Sequence, residues 1–494
     1  MRFMRFVTLA LALGLPAPAQ ADAPAHLQVS VQSQVEAILD AAPKGTRFGL
    51  LVVEEAGKVI VAVNPDQRFI PASNTKLFTT AAAYALLPGV DQPDSAGGTE
   101  VSLVPGLRKG IPTVLLLGRG DARMSSAADC RNNCLAALAD AVAAKTKVIG
   151  DVVGDDTLFP DQRWSPGISW NNLGSNDATA ASALSLDSNQ LILSVVPGLT
   201  GQRPALTVPP YITARNDAIT GPAGSKLTLV LEHTLNSRDF RLYGGLPADA
   251  GEWHEWIGVD DPAHYAAWTL ATMLKARGVR VKGRVRAEHR PVNVADDPVG
   301  QSVLVQPYPQ PDRVTPLAQL TPPPLAEDVT VINKDSQNHH AEMLLRRIAR
   351  HGGSGSLADG LALEQALFAA AGVPREGYDF ADGSGMSTYN RVSPRAVVTL
   401  IRWALAQPWG QAWFASLPIA GVDGTLQHRF VGTPLAGNLT AKTGTLNATN
   451  AISGTFRAAS GRKLTFSFFA NDVPNGQSAL AAMEAVLLVI AARN

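Results

Sequence analysis

The sequence predicts an α+β protein whose main sheet is assembled from both ends of the chain. Three observations predict it. Near the start, the β-rich runs Phe48 to Glu55 and Val59 to Val63 flank the turn Ala56-Gly57-Lys58, which reads as a hairpin. Near the end, Ala451 to Ala458 and Lys463 to Ala470 flank Ser460-Gly461-Arg462 as a second hairpin, and the apolar run Ala479 to Ala492 follows as a helix. Between them lies a long segment of short β-type runs punctuated by Gly, Pro, Asn and Asp.

Composition sets the class. The chain has 494 residues, 46% apolar and 17% charged, enough for two or three domains with a sizeable core. Lys+Arg and Asp+Glu are equal at 42 each, so no net field steers the protein to nucleic acid or anionic lipid.

In chain order, residues 1–21 come first. Arg2 and Arg5 precede an apolar run, Phe6 to Leu15, and Ala19-Gln20-Ala21 is a small-x-small cleavage site. This predicts a secretory signal peptide, too short to span a bilayer. The mature protein is expected to be exported, in a bacterial periplasm, with no stable membrane anchor. Residues 22–92 and 311–494 are expected to form one discontinuous domain, with 93–310 as one or two inserted β-rich domains. Runs such as Thr113 to Leu117, Lys147 to Val153, Gln190 to Val196 and Lys226 to Glu232 mark the insert, as does a helix, Ala263 to Arg277. The Pro-rich stretch Pro307 to Pro324 reads as the return linker. Cys130 and Cys134 form either a disulfide or two buried thiols, since spacing of four on a helix is strained for a bridge. No H-E-x-x-H motif or His/Asp cluster occurs, so neither metal nor cofactor is expected.

Four stretches carry candidate chemistry. Ser73 to Leu87 predicts one helix with Ser73 in its first turn. Residues at i and i+3 share a helical face, which brings the Ser73 hydroxyl within reach of the Lys76 amine. A lysine whose pKa is lowered by burial can take the serine proton. The bland alternative is a helix cap beside a solvated lysine. Ser336 and Asn338 stand two apart before the helical run His340 to Arg350, and can present a hydroxyl and an amide to one point. Here the bland alternative is a capped helix start. Asp382-Gly383-Ser384-Gly385 is a polar, Gly-rich loop without the lysine of a phosphate loop, otherwise a tight surface turn. Lys442, Thr443, Gly444 and Thr445 precede the second hairpin. A strand edge with a lysine, two hydroxyls and a glycine can receive an extended peptide. As a structural feature it would be a charged edge strand that blocks aggregation.

S-x-x-K, S-x-N and K-T-G in that order form the pattern of serine enzymes acylated by penicillin. With Asn390-Arg391-Val392-Ser393-Pro394 and Gly421-Val422-Asp423-Gly424-Thr425-Leu426, the chain resembles low-molecular-mass penicillin-binding proteins. Within them it is similar to the D-alanyl-D-alanine carboxypeptidase/endopeptidase group, peptidase family S13. The gap of about 260 residues from Lys76 to Ser336 also resembles that group.

The resemblance implies a DD-transpeptidase/β-lactamase-like domain, an antiparallel sheet with helices on both faces. It implies a serine DD-peptidase that acts on peptidoglycan stem peptides and is covalently inhibited by β-lactams. In that reading Ser73 is the nucleophile and Lys76 its base, while Ser336 and Lys442 relay the proton to the leaving D-alanine. Asn338 binds the substrate peptide, and Thr443 and Thr445 hold its carboxylate beside Gly444. The N–H groups of Ser73 and Thr445 form the oxyanion hole. Thr388 stands where members often carry an arginine of a side-chain pocket, and Asp156 resembles another part of that pocket. Gln337 replaces an Asp often found in the second motif. Two other readings stand beside this one: a β-lactam hydrolase on the same scaffold and a non-catalytic peptidoglycan-binding protein. The balance of carboxypeptidase and endopeptidase activity, the diamino-acid preference and a homodimer stay open.

Overall fold

The computed structural model describes residues 30–107, 109–296 and 314–494. The signal peptide expected over 1–21 and the domain boundary expected at 310/311 lie outside the described residues.

Five antiparallel strands form the main sheet. In spatial order they are Val59–Val63, Arg47–Glu54, Lys463–Asn471, Thr449–Arg457 and Thr440–Leu446. The two predicted hairpins are thus neighbours, joined where Arg47–Glu54 pairs with Lys463–Asn471 in the register Leu50↔Phe468. Alternation sorts the side chains to two faces. Leu50, Val52, Phe466 and Phe468 pack with Val35 and with Met483, Val486, Leu487 and Ile490 of the helix Leu480–Arg493. Phe469 faces the other way, into a cluster with Leu77, Phe78, Val397 and Ile401. Helices therefore cover both faces, as predicted, and the sheet is α+β in class.

A second five-stranded sheet comes from the middle of the chain. Its order is Val285–Arg290, Val152–Pro160, Thr113–Leu117, Glu100–Val104 and Ala318–Gln319, with parallel and antiparallel pairs mixed. Its last strand, Ala318–Gln319, lies inside the Pro-rich return stretch. The helices Leu135–Lys145 and Pro262–Ala276 pack on this sheet, with Val114, Leu116 and Val152 in one core.

Several elements differ from the sequence reading. The run Lys147 to Val153 is two strands, Val148–Ile149 and Val152–Pro160. The break at Gly150-Asp151 lets Asp151 accept the Arg284 N–H at 2.9 Å. In Lys226 to Glu232 only Val230–His233 is a strand. Cys130 and Cys134 form a disulfide. Cys130 lies outside the helix and Cys134 caps Leu135–Lys145, so the bridge never has to span a helical turn.

Candidate active site

The main sheet ends on Thr440–Leu446, and the site is built against this outermost strand. Ala72–Asn74 is a 3-10 turn, and the α-helix runs Thr75–Leu86. Ser73 therefore sits in the turn before the helix rather than in its first α-turn. The cause is local: Ala72 is left-handed, φ +47°, which an alanine rarely adopts. The surroundings hold it there. The Asn74 side chain donates to the Lys442 carbonyl at 3.2 Å. Gly444 lets the strand come close, since a Cβ there would lie 2.8 Å from the Pro71 oxygen and 3.0 Å from the Ser73 nitrogen.

Lys76 is fully buried and Ser73 is half-buried. The Lys76 Nζ contacts three oxygens: Ser73 Oγ at 2.9 Å, Asn338 Oδ1 at 2.5 Å and the Ser384 carbonyl at 2.5 Å. Burial lowers its pKa to about 8, against the opposing charges of Asp382, Glu342 and Asp177. The alternative of a solvated lysine is excluded.

Ser336 sits between the helices Leu325–Lys334 and Asn338–Gly352. It too is left-handed, φ +62°. Its Oγ accepts from the buried Lys442 Nζ at 2.9 Å. Burial, and then the charge of Lys76, holds Lys442 well below the usual lysine pKa. Asn338 begins its helix, and its two amide ends have fixed partners. Oδ1 accepts from Lys76, and Nδ2 donates to the Asp177 carbonyl at 2.9 Å. Thr443 and the exposed Thr445 lie on the outermost strand, opposite Ile452 and Asn450. The Thr443 and Thr425 hydroxyls are 2.6 Å apart. The structure thus brings Ser73, Lys76, Ser336, Asn338 and Lys442 together, with Thr443, Gly444 and Thr445 along one side.

Asp156 is not brought to this cluster. Its buried carboxylate is held by His289 Nδ1 at 2.9 Å and Ser182 Oγ at 2.7 Å. Thr388 is tied to the middle of the chain, its hydroxyl donating to the Gly167 carbonyl at 2.9 Å.

Sequence reasoning missed the layer behind the motifs. The 382–385 loop is a buried support, not a surface turn. Asp382 is fully buried and accepts from Gly385 N, Ser387 N and Asn390 Nδ2 at 2.9, 2.6 and 2.6 Å. Burial, with Glu342 nearby, pushes its pKa up to about 6. Glu342 Oε1 accepts the Gly383 and Ser384 N–H groups at 2.9 and 3.0 Å, and Oε2 accepts from Ser165 Oγ and Arg346 Nη1 at 2.9 and 3.1 Å. This fixes the Ser384 peptide whose carbonyl meets Lys76. A signal existed: Asn338, Glu342 and Arg346 recur every four residues, a polar stripe on one helical face. Other contacts come from residues 165–189: Ser185 Oγ and Asn189 Nδ2 meet His339 Nε2 at 3.1 and 3.3 Å, and Ser188 Oγ meets His340 Nε2 at 2.8 Å.

Among the described residues, no group of three or more His, Cys, Asp or Glu side chains could hold a metal ion. A buried base beside a half-exposed hydroxyl, and a second lysine-bound hydroxyl beside an open strand, suit acyl transfer through the serine.

The profile of the D-Ala-D-Ala carboxypeptidase 3 (S13) family matches residues 31–493. The chain is 34% identical over 482 residues to a D-alanyl-D-alanine carboxypeptidase of Actinomadura sp. (strain R39), covering 93% of this chain and 84% of that one. It is 24% identical to the D-alanyl-D-alanine carboxypeptidase DacB of Haemophilus influenzae, covering 90% and 89%. The crystal structure of penicillin binding protein 4 (dacB) from Haemophilus influenzae superposes with a TM-score of 0.77 at 21% identity, over 92% of this chain and 97% of that one. The same protein complexed with a novel β-lactam gives 0.70 at 20% identity, again over 92% and 97%.

Proposed function

The chain belongs to the D-Ala-D-Ala carboxypeptidase 3 (S13) family, and on that premise we propose how its residues carry out serine DD-peptidase chemistry. The enzyme is a serine-type peptidase acting on peptidoglycan stem peptides, and β-lactams acylate the same serine. The observation that carries the assignment of roles is the set of oxygens around Lys76. A neutral lysine amine has two N–H groups and one lone pair. Asn338 Oδ1 and the Ser384 carbonyl can only accept, so they take the two N–H groups. The third direction points at Ser73 Oγ and carries the lone pair. Lys76 is thereby set to remove the Ser73 proton as Oγ attacks the carbonyl of the D-Ala-D-Ala bond.

Proton return runs through the second lysine. Lys442 donates to Ser336 Oγ, which leaves the Ser336 O–H free to point at the leaving amine. Thr443, with its hydroxyl held by Thr425, and Thr445 hold the substrate carboxylate. Gly444 lets the strand lie directly against the turn that carries Ser73. The N–H groups of Ser73 and Thr445 face the developing oxyanion. Water then releases the acyl group, giving removal of terminal D-alanine or cleavage of a D-Ala-diamino-acid crosslink.

Residues 22–92 and 311–494 make the catalytic domain in this reading, and 93–310 the insert that supports it. The protein works in the periplasm; among the described residues no helix is long and apolar enough to cross a membrane. The test is release of D-alanine from an N-acylated peptide ending in D-Ala-D-Ala. Wild type should release it and Ser73→Ala should not. Equal release by both would remove Ser73 from the role.

A further inference from the structure

A short 3-10 turn, Gly424–Leu426, packs beside the outermost strand of the main sheet. It presents the exposed Thr425 to that strand, with the Thr425 and Thr443 hydroxyls 2.6 Å apart. The turn is fastened at three points. Leu426 is fully buried in the core beneath the sheet. Ahead of it, Asp423 Oδ1 accepts the Ile419 N–H at 2.8 Å, and Oδ2 accepts from Lys334 Nζ at 2.5 Å. Between them Gly424 is left-handed, φ +55°, and a Cβ there would lie 2.7 Å from the Lys334 carbonyl oxygen. Lys334 ends the helix Leu325–Lys334, two residues before Ser336. The turn that carries Thr425 is therefore locked to the element that leads into Ser336 as well as to the strand that carries Thr443.

Two hydroxyls this close share one hydrogen bond. One O–H lies between the oxygens, and the other is left to point away from the pair. A carboxylate offers only lone pairs, so it takes that second O–H. If Thr425 donates to Thr443, the Thr443 O–H goes to the carboxylate and is strengthened by the bond behind it. If Thr443 donates to Thr425, the Thr425 O–H goes to the carboxylate directly. Either way the pair delivers one oriented donor, and without the Thr425 hydroxyl the Thr443 O–H is free to rotate. Because Thr425 is exposed, its hydroxyl fills no core, and its loss should cost recognition rather than folding.

We propose that Thr425 is a specificity-determining residue that orients the hydroxyl donor for the substrate's free terminal carboxylate, and that the Lys334–Asp423 pair positions it. The proposal rests on the DD-peptidase reading above and deepens it. Loss of an oriented hydrogen bond to a charged group should weaken recognition by about tenfold or more.

The test compares benzylpenicillin, which carries a free carboxylate, with its methyl ester, which does not. Second-order acylation rates are read by intact-protein mass spectrometry. Wild type should favour the free acid. Thr425→Val keeps the side-chain shape and removes the hydroxyl; it should lose about tenfold with the acid and keep the wild-type rate with the ester, which also shows it folded. Thr425→Ser should recover the acid rate. Asp423→Asn turns an amide N–H towards Lys334 and should show the same selective loss with the acid. A wild-type acid rate in Thr425→Val would overturn the role of Thr425. Equal losses with acid and ester would overturn it too, since only the packing of the turn would then have changed. An unchanged acid rate in Asp423→Asn would overturn the role of the ion pair. Failure of wild type to be acylated by either compound would instead overturn the catalytic reading.

Discussion

Lys76 Nζ and Asn338 Oδ1 are 2.5 Å apart although 262 residues separate them in the chain. Asn338 is pinned from behind by the Asp177 carbonyl, so the amide cannot turn its nitrogen to the lysine without losing that bond. The contact therefore sets the direction of the Lys76 lone pair as well as its position.

Acylation should depend on the neutral form of Lys76. Its pKa is lowered to about 8, so the acylation rate should rise with pH through about 8 and level off above it. Lys76→Ala should lower the plateau by about 10²–10⁴-fold, the usual worth of a positioned base. Stopped-flow acylation by a chromogenic β-lactam checks both. A flat pH profile would argue against Lys76 as the base.

Glu342 acts through the Ser384 peptide and through its charge. Glu342→Gln cannot accept all four donors, so acylation should fall by about tenfold. The charge of Glu342 raises the Lys76 pKa, so its removal should move the acid limb of the acylation profile to lower pH. A slower variant with an unmoved acid limb would mean that only packing was lost.

Gly444→Ala places a Cβ 2.8 Å from the Pro71 oxygen and 3.0 Å from the Ser73 nitrogen. The strand or the nucleophile turn must move, at a cost of about 1–3 kcal/mol. Denaturant unfolding should show this loss, and acylation should fall with it. Wild-type acylation by the variant would show that the turn tolerates the shift.

The Cys130–Cys134 bridge closes a short loop away from the catalytic cluster. Chain-entropy arithmetic gives about 2 kcal/mol for such a loop. The double Cys→Ser variant should be less stable by about that much and should still be acylated at the wild-type rate. Intact mass before and after alkylation without reductant should show no free thiol.

Much of this was legible in the sequence, and the limits have physical causes. The two hairpins could be read because period-two patterns and turn residues are local. The order in which Arg47–Glu54 and Lys463–Asn471 meet is a long-range pairing that only the assembled sheet shows. Ser73, Lys76, Ser336, Asn338 and Lys442 could be singled out because residue type and spacing carry their chemistry. The left-handed turns at Ala72 and Ser336 could not, because neither residue favours that conformation on its own. The Asp177 carbonyl was illegible for a simpler reason, since a backbone oxygen leaves no mark on residue identity. Asp156 could be singled out by its stretch, but its partners His289 and Ser182 lie in other parts of the chain and could not be read from it.

Acylation of Ser73 is tested most directly by intact-protein mass spectrometry after incubation with benzylpenicillin, with wild type beside Ser73→Ala. Wild type should gain one penicilloyl mass, mapped by peptide digestion to Ser73, and the variant should gain none. An adduct that persists on Ser73→Ala, or maps to another residue, would contradict it.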